Sequence, residues 1–314
     1  MPNSVEDILD GFMQQFMNEM EPFRIHGRNI SHKYFKSKDF SDPRSRQALC
    51  EVAKIYVNWR QFNDSLVSPI SLLDEDLLKD TVRWRVKAFN EYRNFINQEK
   101  YALTFDSRSN LHSSTLEEFI YYLFRDISKS FNQETVVGKS KSYKGMYFSA
   151  ESFQDLVEKP EVHVEQKDHD FIIGAAVDAD FNVKGSSESV TVNFDIPAVA
   201  IECKTYIDKT MLEGASNAAE QLKAVNPNAR YYIVAEYVKI SNDINFKKYK
   251  VDQIFILRKQ KNKDRKYTFG ENSDRNPIFF DPVYKLVKDI YEYLTEPWEA
   301  SLNKGIERGY LIPE

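Results

Sequence analysis

The sequence predicts an α/β (α+β) protein in which a mixed central sheet is flanked by helices and preceded by an N-terminal helical subdomain over residues 1–110. Up to that point, apolar residues recur at the i, i+4 spacing of helices that dock one face on a core. From residue 171 onward, short apolar runs are separated by turn-forming residues, as in strands. Residues 197–236 contain an apolar strand, a helix and another apolar strand, which form the crossover unit of a sheet with parallel strands.

Three helices are predicted in the N-terminal subdomain. The first covers residues 4–20, the second begins at Asp42, which is followed by proline at the first helical position, and the third covers residues 71–98. Three cations lie beside the apolar stripe of the third helix: Arg83, Arg85 and Lys87. They form either a solvated basic face or a contact surface for DNA phosphates or a partner subunit. The subdomain is therefore expected to serve DNA contact or dimerisation.

A further helix opens near Ser113, where Ser114 and Glu117 have the spacing of a capping box. Glu117 flanks the apolar stripe of this helix, whereas Glu118 points more nearly away from it. Glu117 is thus either the cap of the helix or an accessory acid that faces a functional site, and the spacing favours neither role.

Residues 139–144 form a short polar segment, interpreted as a loop over a phosphate backbone. The cations of this segment are Lys139, Lys141 and Lys144. Residues 171–204 are predicted to form strands joined by turns. The turn-forming residues are Asp178, Asp180, Asn182 and residues 185–187.

The remaining elements extend the sheet and cover it. A helix over residues 210–225 is followed by strands over residues 231–236 and 251–257. Asp281 then starts a closing helix. Glu236, in the first of these two strands, is interpreted as a charge at a strand end.

Two acids and a lysine have the pattern of a metal-dependent phosphodiesterase. Glu202 and Lys204 alternate with Ile201 and Cys203 in an apolar strand, so the two charged side chains project to one face. Asp170 stands at the start of another apolar run and is expected beside them. Mg²⁺ takes oxygen ligands, usually one or two carboxylates with waters and substrate phosphate oxygens. The predicted ligands are Asp170, Glu202 and the carbonyl of Cys203, and Lys204 is predicted to orient the attacking hydroxide.

A basic segment follows the last predicted strand. Between residues 258 and 266 it carries six cations against one acid, Asp264. The cations are Arg258, Lys259, Lys261, Lys263, Arg265 and Lys266. Such a run is usually a solvated loop, but beside a candidate phosphodiesterase site it is equally well interpreted as a contact surface for DNA phosphates.

The composition is that of a soluble globular protein. The net charge of -5 over 314 residues argues against indiscriminate coating of nucleic acid, although a local basic surface is enough for binding. The first twenty residues do not resemble a signal peptide and no apolar run reaches membrane-spanning length, so a cytoplasmic protein without membrane contact is expected. Cys50 and Cys203 lie among apolar neighbours and are predicted to be reduced core residues.

The order of these elements resembles the core of the PD-(D/E)XK nucleases. A helix with Glu117 is followed by a strand with Asp170, a strand with Glu202-Cys203-Lys204, a helix and a strand. The proline of that motif is absent, which leaves Asp168 as an alternative to Asp170. Asp170 is preferred, and residues 111–314 are assigned to the nuclease domain.

Residues 201–215 and 232–237 more specifically resemble the type II restriction endonucleases related to BbvCI, and the likeness covers roughly residues 110–260. The resemblance implies an enzyme that uses Mg²⁺ to cut double-stranded DNA at a short sequence, leaving 5′-phosphate and 3′-hydroxyl ends. It also implies a homodimer or a heterodimer with a second nuclease subunit. The alternatives are a repair or recombination nuclease with the same core, such as a junction resolvase, and a non-catalytic DNA-binding protein that retains the fold.

Overall fold

The structure is a computed structural model that describes residues 5–19, 25–67, 74–105, 111–131, 135–184, 189–265, 274–298 and 302–311. Within these residues, six helices precede the sheet. They are α1 (Val5–Glu19), α2 (Ile25–Lys36), α3 (Pro43–Ser65), α4 (Glu75–Ile96), α5 (Glu99–Thr104) and α6 (Leu111–Phe124). None of the described helices combines the length and the apolar character that crossing a membrane requires.

In the described part of the chain, five strands form a mixed sheet in the order β1-β2-β3-β4-β5. They are β1 (Val136–Ser149), β2 (Glu161–Asn182), β3 (Ser189–Asp208), β4 (Arg230–Lys239) and β5 (Gln253–Ile256). β1 and β3 each pair antiparallel with β2, whereas β4 pairs parallel with β3, and β5 pairs parallel with β4. The later helices are α7 (Phe153–Glu158), α8 (Lys209–Val225), α9 (Phe280–Thr295) and α10 (Leu302–Arg308). The predicted mixed sheet flanked by helices is confirmed.

Aspartates cap three of the helices. The Asp42 carboxylate accepts hydrogen bonds from the first turn of α3, including one from the Ser45 amide at 3.1 Å, so the predicted start of this helix is confirmed. Asp74 caps α4, and Asp208 caps the crossover helix α8. The predicted third helix is therefore shorter than expected at its start, and residues 71–73 lie outside the described part of the chain.

The sheet has a hydrophobic cluster on each face. The first cluster joins the N-terminal helices, α6 and α9 to the sheet, and includes Met13, Phe89, Phe119, Val234 and Ile290. The second lies between the sheet and α8, and includes Ile172, Ala200, Leu212, Tyr231 and Ile233. The first cluster contains residues from before and after position 110 of the sequence. The N-terminal helices therefore share one core with the sheet.

Asn90 of α4 ties the N-terminal helices to the segment that precedes α9. Its side-chain amide donates to the Ile278 carbonyl at 2.9 Å, and its side-chain oxygen accepts from the Ile278 amide at 2.8 Å. The side chain therefore satisfies both backbone groups of Ile278, as a neighbouring strand would.

Three local predictions are wrong. Residues 139–144 are not a loop but the middle of β1, paired antiparallel with β2. Asp178 and Asp180 do not end a strand, because β2 continues to Asn182 in register with β3. Ser114 is no N-cap, because α6 begins at Leu111 and the serine hydroxyl donates back to the Leu111 carbonyl. Residues 185–187, the remaining predicted turn, lie outside the described residues.

The sequence analysis did not predict α2. Its buried residues include His26, Gly27, Ser31 and Lys33 in addition to Ile30 and Tyr34. A helix with so many polar residues on its buried face has no apolar stripe, so periodicity does not indicate it.

Candidate active site

The antiparallel ladder of β2 and β3 ends at the pair Phe171 and Ile201. One residue further, Asp170 accepts a hydrogen bond from the Cys203 amide through its carboxylate at 2.9 Å, so its side chain satisfies a backbone donor of β3. This contact fixes the Asp170 carboxylate against the strand that carries the other predicted site residues.

Glu202 and Lys204 lie on the same face of β3, because alternate residues of a strand point to one side. The Lys204 ammonium lies 2.6 Å from Glu202 Oε1 and 3.7 Å from Asp170 Oδ2. The structure thus brings the predicted Asp170, Glu202 and Lys204 together. We refer to these three residues as the acid–lysine cluster.

The acid–lysine cluster is partly accessible: the side chains of Asp170, Glu202 and Lys204 are 21%, 24% and 31% exposed. Burial raises the pKa of Asp170, and the negative charge of Glu202 raises it further. For Glu202, burial opposes ionisation, but the Lys204 ammonium outweighs it and lowers the pKa of the carboxyl. Burial disfavours the Lys204 ammonium, yet the two carboxylates raise its pKa, so it remains protonated at neutral pH.

Glu117 and Lys139 approach this cluster from α6 and β1. Their charged groups lie 3.5 Å apart, and the Glu117 side chain is 11% exposed. Burial and then the charge of Asp170 raise the pKa of Glu117. Glu117 lies inside α6 rather than at its N-terminus, and it is close enough to Asp170 for their charges to interact. Its role as an accessory acid stays a prediction.

Neither the Cys203 side chain nor the Asp168 side chain belongs to the acid–lysine cluster. Cys203 is buried and belongs to the first hydrophobic cluster, on the face opposite to Glu202, so its predicted orientation and its predicted reduced, unpaired state agree with the structure. Asp168 is exposed on β2, where it pairs in register with Lys141. The Asp170 carboxylate, and not that of Asp168, contacts β3 near Glu202 and Lys204.

The donor set of the acid–lysine cluster fits a hard divalent cation. Among the described residues, no group of three or more His, Cys, Asp or Glu side chains is arranged to hold a metal ion. Mg²⁺, however, needs only one or two protein carboxylates because waters and substrate oxygens complete its shell. Burial raises the pKa of Asp170 most, and the charge of Glu202 raises it further; a cation would relieve the repulsion between these two carboxylates.

Several cations of the basic segment after β5 have acidic, polar or aromatic partners that the sequence does not indicate. Arg258 is 2% exposed and donates to Glu236 Oε2 at 2.7 Å, so the prediction that it contacts DNA is wrong. Lys259 forms an ion pair with Asp281, and Lys261 donates to Asn242 at 2.7 Å. Lys263 is exposed, and the Arg265 guanidinium lies 4.8 Å from the Tyr237 ring centroid. Lys266 is outside the described residues.

Glu236 is not a strand-end charge. Its side chain is 1% exposed, and each carboxylate oxygen accepts from a different arginine, Arg93 of α4 and Arg258. Burial opposes ionisation, but the two guanidinium groups outweigh it and lower the pKa of Glu236. We refer to Arg93, Glu236 and Arg258 as the arginine–glutamate cluster.

Arg85 and Glu118 were also assigned wrongly. Arg85 is fully buried and donates to the Asn63 carbonyl at 3.1 Å, so it belongs neither to a solvated face nor to a phosphate contact. Glu118 is fully buried rather than pointing away, because α6 is packed on all sides. It accepts from the Tyr56 hydroxyl at 2.9 Å, and burial raises its pKa to about 7.

Tyr231 is a site residue that the sequence analysis missed. Its hydroxyl donates to Glu202 Oε2 at 3.2 Å. The apolar run that contains it indicates a strand, but nothing in the run indicates which residue of β3 it opposes. The parallel register is needed to find this contact.

The mixed sheet brings two carboxylates and a lysine together at the end of an antiparallel ladder, an arrangement that suits a nuclease, an enzyme that cuts phosphodiester bonds. The family model described as Bpu10I restriction endonuclease matches residues 108–311, which is more than half of the chain. The protein therefore belongs to the Bpu10I restriction endonuclease family, and is a nuclease by class.

Comparison with solved structures supports the fold. The structure described as "native BbvCI A2B2 tetramer at low resolution" is similar with a TM-score of 0.61, at 22% sequence identity, over 85% of this chain and 95% of that chain. At this identity the likeness establishes a shared fold. The match includes much of the N-terminal helical region, because 85% of the chain exceeds what residues 111–314 alone provide. Comparison with curated protein sequences gave no match.

Proposed function

We propose that this protein is a type II restriction endonuclease that hydrolyses phosphodiester bonds of double-stranded DNA at a short recognition sequence. We further propose that it uses Mg²⁺, acts in the cytoplasm and leaves 5′-phosphate and 3′-hydroxyl ends. The observation that carries the proposal is the contact of Lys204 with both Asp170 and Glu202, in a chain of a restriction endonuclease family.

The residues of the site have separate roles in this proposal. Asp170, Glu202 and the carbonyl of Cys203 hold the metal ion. When bound, Mg²⁺ acidifies a water and offsets the negative charge that develops on the phosphate oxygens. Lys204, which stays protonated, orients the attacking oxygen and faces the phosphate. Glu117 acts as an accessory acid that holds Lys139 beside the site.

The DNA backbone contacts the cations that remain accessible around this site. On β1 these are Lys139, Lys141 and Lys144, and after β5 they are Lys259, Lys261, Lys263 and Arg265. Phosphate contacts of this kind position the enzyme on the duplex without reading its sequence.

The active unit contains more than one chain, because one site cuts one strand at a time. The similar BbvCI structure is described as an A2B2 tetramer. We therefore propose a second nuclease subunit, either a second copy of this chain or a different chain, that cuts the other strand. Light scattering of the purified protein, alone and with DNA, tests this assembly.

Digestion of plasmid or phage DNA in Mg²⁺ and in EDTA, with sequencing of the ends, tests the function. Discrete fragments in Mg²⁺ and intact DNA in EDTA are expected. Cleavage of branched DNA irrespective of sequence would replace the proposal with a recombination nuclease. DNA binding without cleavage, under conditions in which every required subunit is present, would replace it with a non-catalytic DNA-binding protein.

A further inference from the structure

The two oxygens of the Glu202 carboxylate are held by two different strands. Glu202 Oε1 lies 2.6 Å from the Lys204 ammonium on β3, and Glu202 Oε2 accepts the Tyr231 hydroxyl of β4 at 3.2 Å. A carboxylate that is held at both oxygens cannot rotate freely about its terminal bond. Its orientation toward a cation is therefore set before the cation binds.

The register of β3 and β4 explains why a tyrosine at position 231 reaches Glu202. Tyr231 pairs with Ala200, and Glu202 pairs with Ile233, so Tyr231 and Glu202 are diagonal neighbours across the parallel ladder. Ala200, Tyr231 and Ile233 all belong to the second hydrophobic cluster, which places them on the face that Glu202 shares. The Tyr231 ring runs along this face and carries its hydroxyl to the carboxylate.

The Tyr231 hydroxyl acts as a donor in this contact, because an ionised carboxylate has only acceptor atoms. Tyr231 is fully buried. The apolar ring would pack in the second cluster without its hydroxyl, as phenylalanine does elsewhere in the core. The hydroxyl therefore contributes through its bond to Glu202 rather than through packing.

His169 packs against Tyr231 from β2. It is 2% exposed, its ring lies 5.8 Å from the Tyr231 ring between centroids, and the two planes meet at 69° in an edge-to-face arrangement. A buried aromatic ring packed at this place limits the rotation of the tyrosine ring.

We propose that Tyr231 is a positioning residue for the metal ligand Glu202 and that the His169 ring holds Tyr231 in place. The inference rests on the proposed function, since it assigns Glu202 to the metal. Groups that hydrogen-bond to metal ligands commonly change metal affinity or activity by about 10–100-fold when they are removed. Tyr231 acts through Glu202 and touches neither substrate nor metal.

Tyr231→Phe removes only the hydroxyl. We expect Mn²⁺ binding, measured by electron paramagnetic resonance without DNA, to weaken about 10-fold. The Mg²⁺ concentration for half-maximal cleavage should rise by a similar factor, whereas the single-turnover rate at saturating Mg²⁺ should stay close to that of the unaltered protein. Tyr232→Phe is the matched control, because Tyr232 is the next residue of β4 and belongs to the opposite hydrophobic cluster. Tyr232→Phe should leave the Mn²⁺ affinity and the Mg²⁺ concentration for half-maximal cleavage unchanged.

A double-variant cycle separates positioning from packing. Glu202→Asp keeps a carboxylate but withdraws it from the Tyr231 hydroxyl, so adding Tyr231→Phe to it should not weaken Mn²⁺ binding further. Two results would overturn the inference while leaving the proposed function intact. One is that Tyr231→Phe weakens Mn²⁺ binding equally in the unaltered protein and in Glu202→Asp. The other is that Tyr231→Phe binds Mn²⁺ as tightly as the unaltered protein does. Unchanged Mn²⁺ binding and cleavage in Glu202→Gln would instead overturn the proposed function, and the inference with it.

Discussion

Two clusters of charged residues lie on neighbouring parallel strands, and they differ in how their charges are compensated. In the arginine–glutamate cluster of β4, the oxygens of one carboxylate accept from two guanidinium groups, and the side chains are 1–3% exposed. In the acid–lysine cluster of β3, two carboxylates share one ammonium and the side chains are 21–31% exposed. In the first cluster the only carboxylate is paired at both oxygens and is buried, whereas the second cluster keeps accessible negative charge.

The pKa shifts of the two clusters run in opposite directions for this reason. Burial opposes ionisation at both Glu236 and Asp170. Two arginines reverse the effect at Glu236 and lower its pKa, whereas the charge of Glu202 adds to it at Asp170 and raises the pKa. Burial of a charged group therefore does not by itself indicate a functional site. The informative observation is negative charge that the surrounding protein does not fully compensate.

The largest expected effect is the loss of cleavage in Lys204→Ala and Glu202→Ala. In the proposed mechanism each removes a charge that acts on the reacting phosphate or on the metal ion, and such a loss should reduce the single-turnover rate in Mg²⁺ at least about 100–1,000-fold. Folding and DNA binding in Ca²⁺ should persist, because both side chains lie at the edge of the core. Near wild-type cleavage by either variant would show that the active site lies elsewhere.

Asp170→Asn and Asp168→Asn form a matched pair on β2. Asp170→Asn should be inactive because its carboxylate lies against β3 beside Lys204, whereas Asp168→Asn should be only impaired. Cleavage assays over a range of Mg²⁺ concentrations compare the two. An inactive Asp168→Asn with an active Asp170→Asn would move the metal ligand by two residues.

Glu236→Gln should have the opposite profile, with a large loss of stability and little direct effect on chemistry. It leaves Arg93 and Arg258 buried without a counter-charge, and breaking a buried ion pair in this way costs about 3–5 kcal/mol of unfolding free energy. Urea denaturation measures the loss, and Asp80→Asn, which removes an exposed partner of Arg83, is the control with little effect. A Glu236→Gln protein that is inactive yet as stable as the unaltered protein would contradict the structural role.

Cys203→Ala tests whether the Cys203 side chain contributes to stability or to cleavage. Its side chain packs in the first hydrophobic cluster, so the substitution should cost about 1 kcal/mol of stability. Cleavage should be retained, because only the backbone carbonyl is assigned to the metal. Inactivity in a folded Cys203→Ala variant would place the thiol in the site.

The smallest expected effect concerns Lys261 and Lys263 of the basic segment. Replacing each by Ala should lower the slope of log affinity against log salt by about 0.9 for each lost phosphate contact, without changing the preferred sequence. Lys285→Ala, which removes an exposed cation from α9, serves as the control. An unchanged slope would make the segment a solvated loop, and an altered cleavage sequence would make it a base reader.

Local patterns predicted the acid–lysine cluster better than they predicted its surroundings. Alternation along one strand places Glu202 and Lys204 on the same face, whatever the rest of the fold does. Glu236 has no such local signal, because its partner Arg93 lies 143 residues away in the sequence. The pairing of Glu236 with Arg93 therefore depends on the tertiary contact between α4 and β4, which local sequence does not indicate.

The errors in secondary structure have a related cause. Lys139 and Lys141 made residues 139–144 look like a loop, but these side chains are exposed on a strand whose backbone pairs with β2. Asp178 and Asp180 are likewise exposed residues of a long antiparallel pair, where Asn193 and Thr191 hydrogen-bond to them. Polar residues mark turns only when no neighbouring strand is available, and that information is not local.

The shared core has a consequence for how the protein is made. Residues of α4 pack in the same hydrophobic cluster as residues of α9, and Asn90 forms its two hydrogen bonds with Ile278. During synthesis the N-terminal helices leave the ribosome long before α9 does, and chains generally begin to fold from the N-terminus. Here those helices cannot complete their packing until α9 has been translated. A nascent chain that has reached β4 but not α9 therefore contains the residues of the acid–lysine cluster without the complete core that supports them.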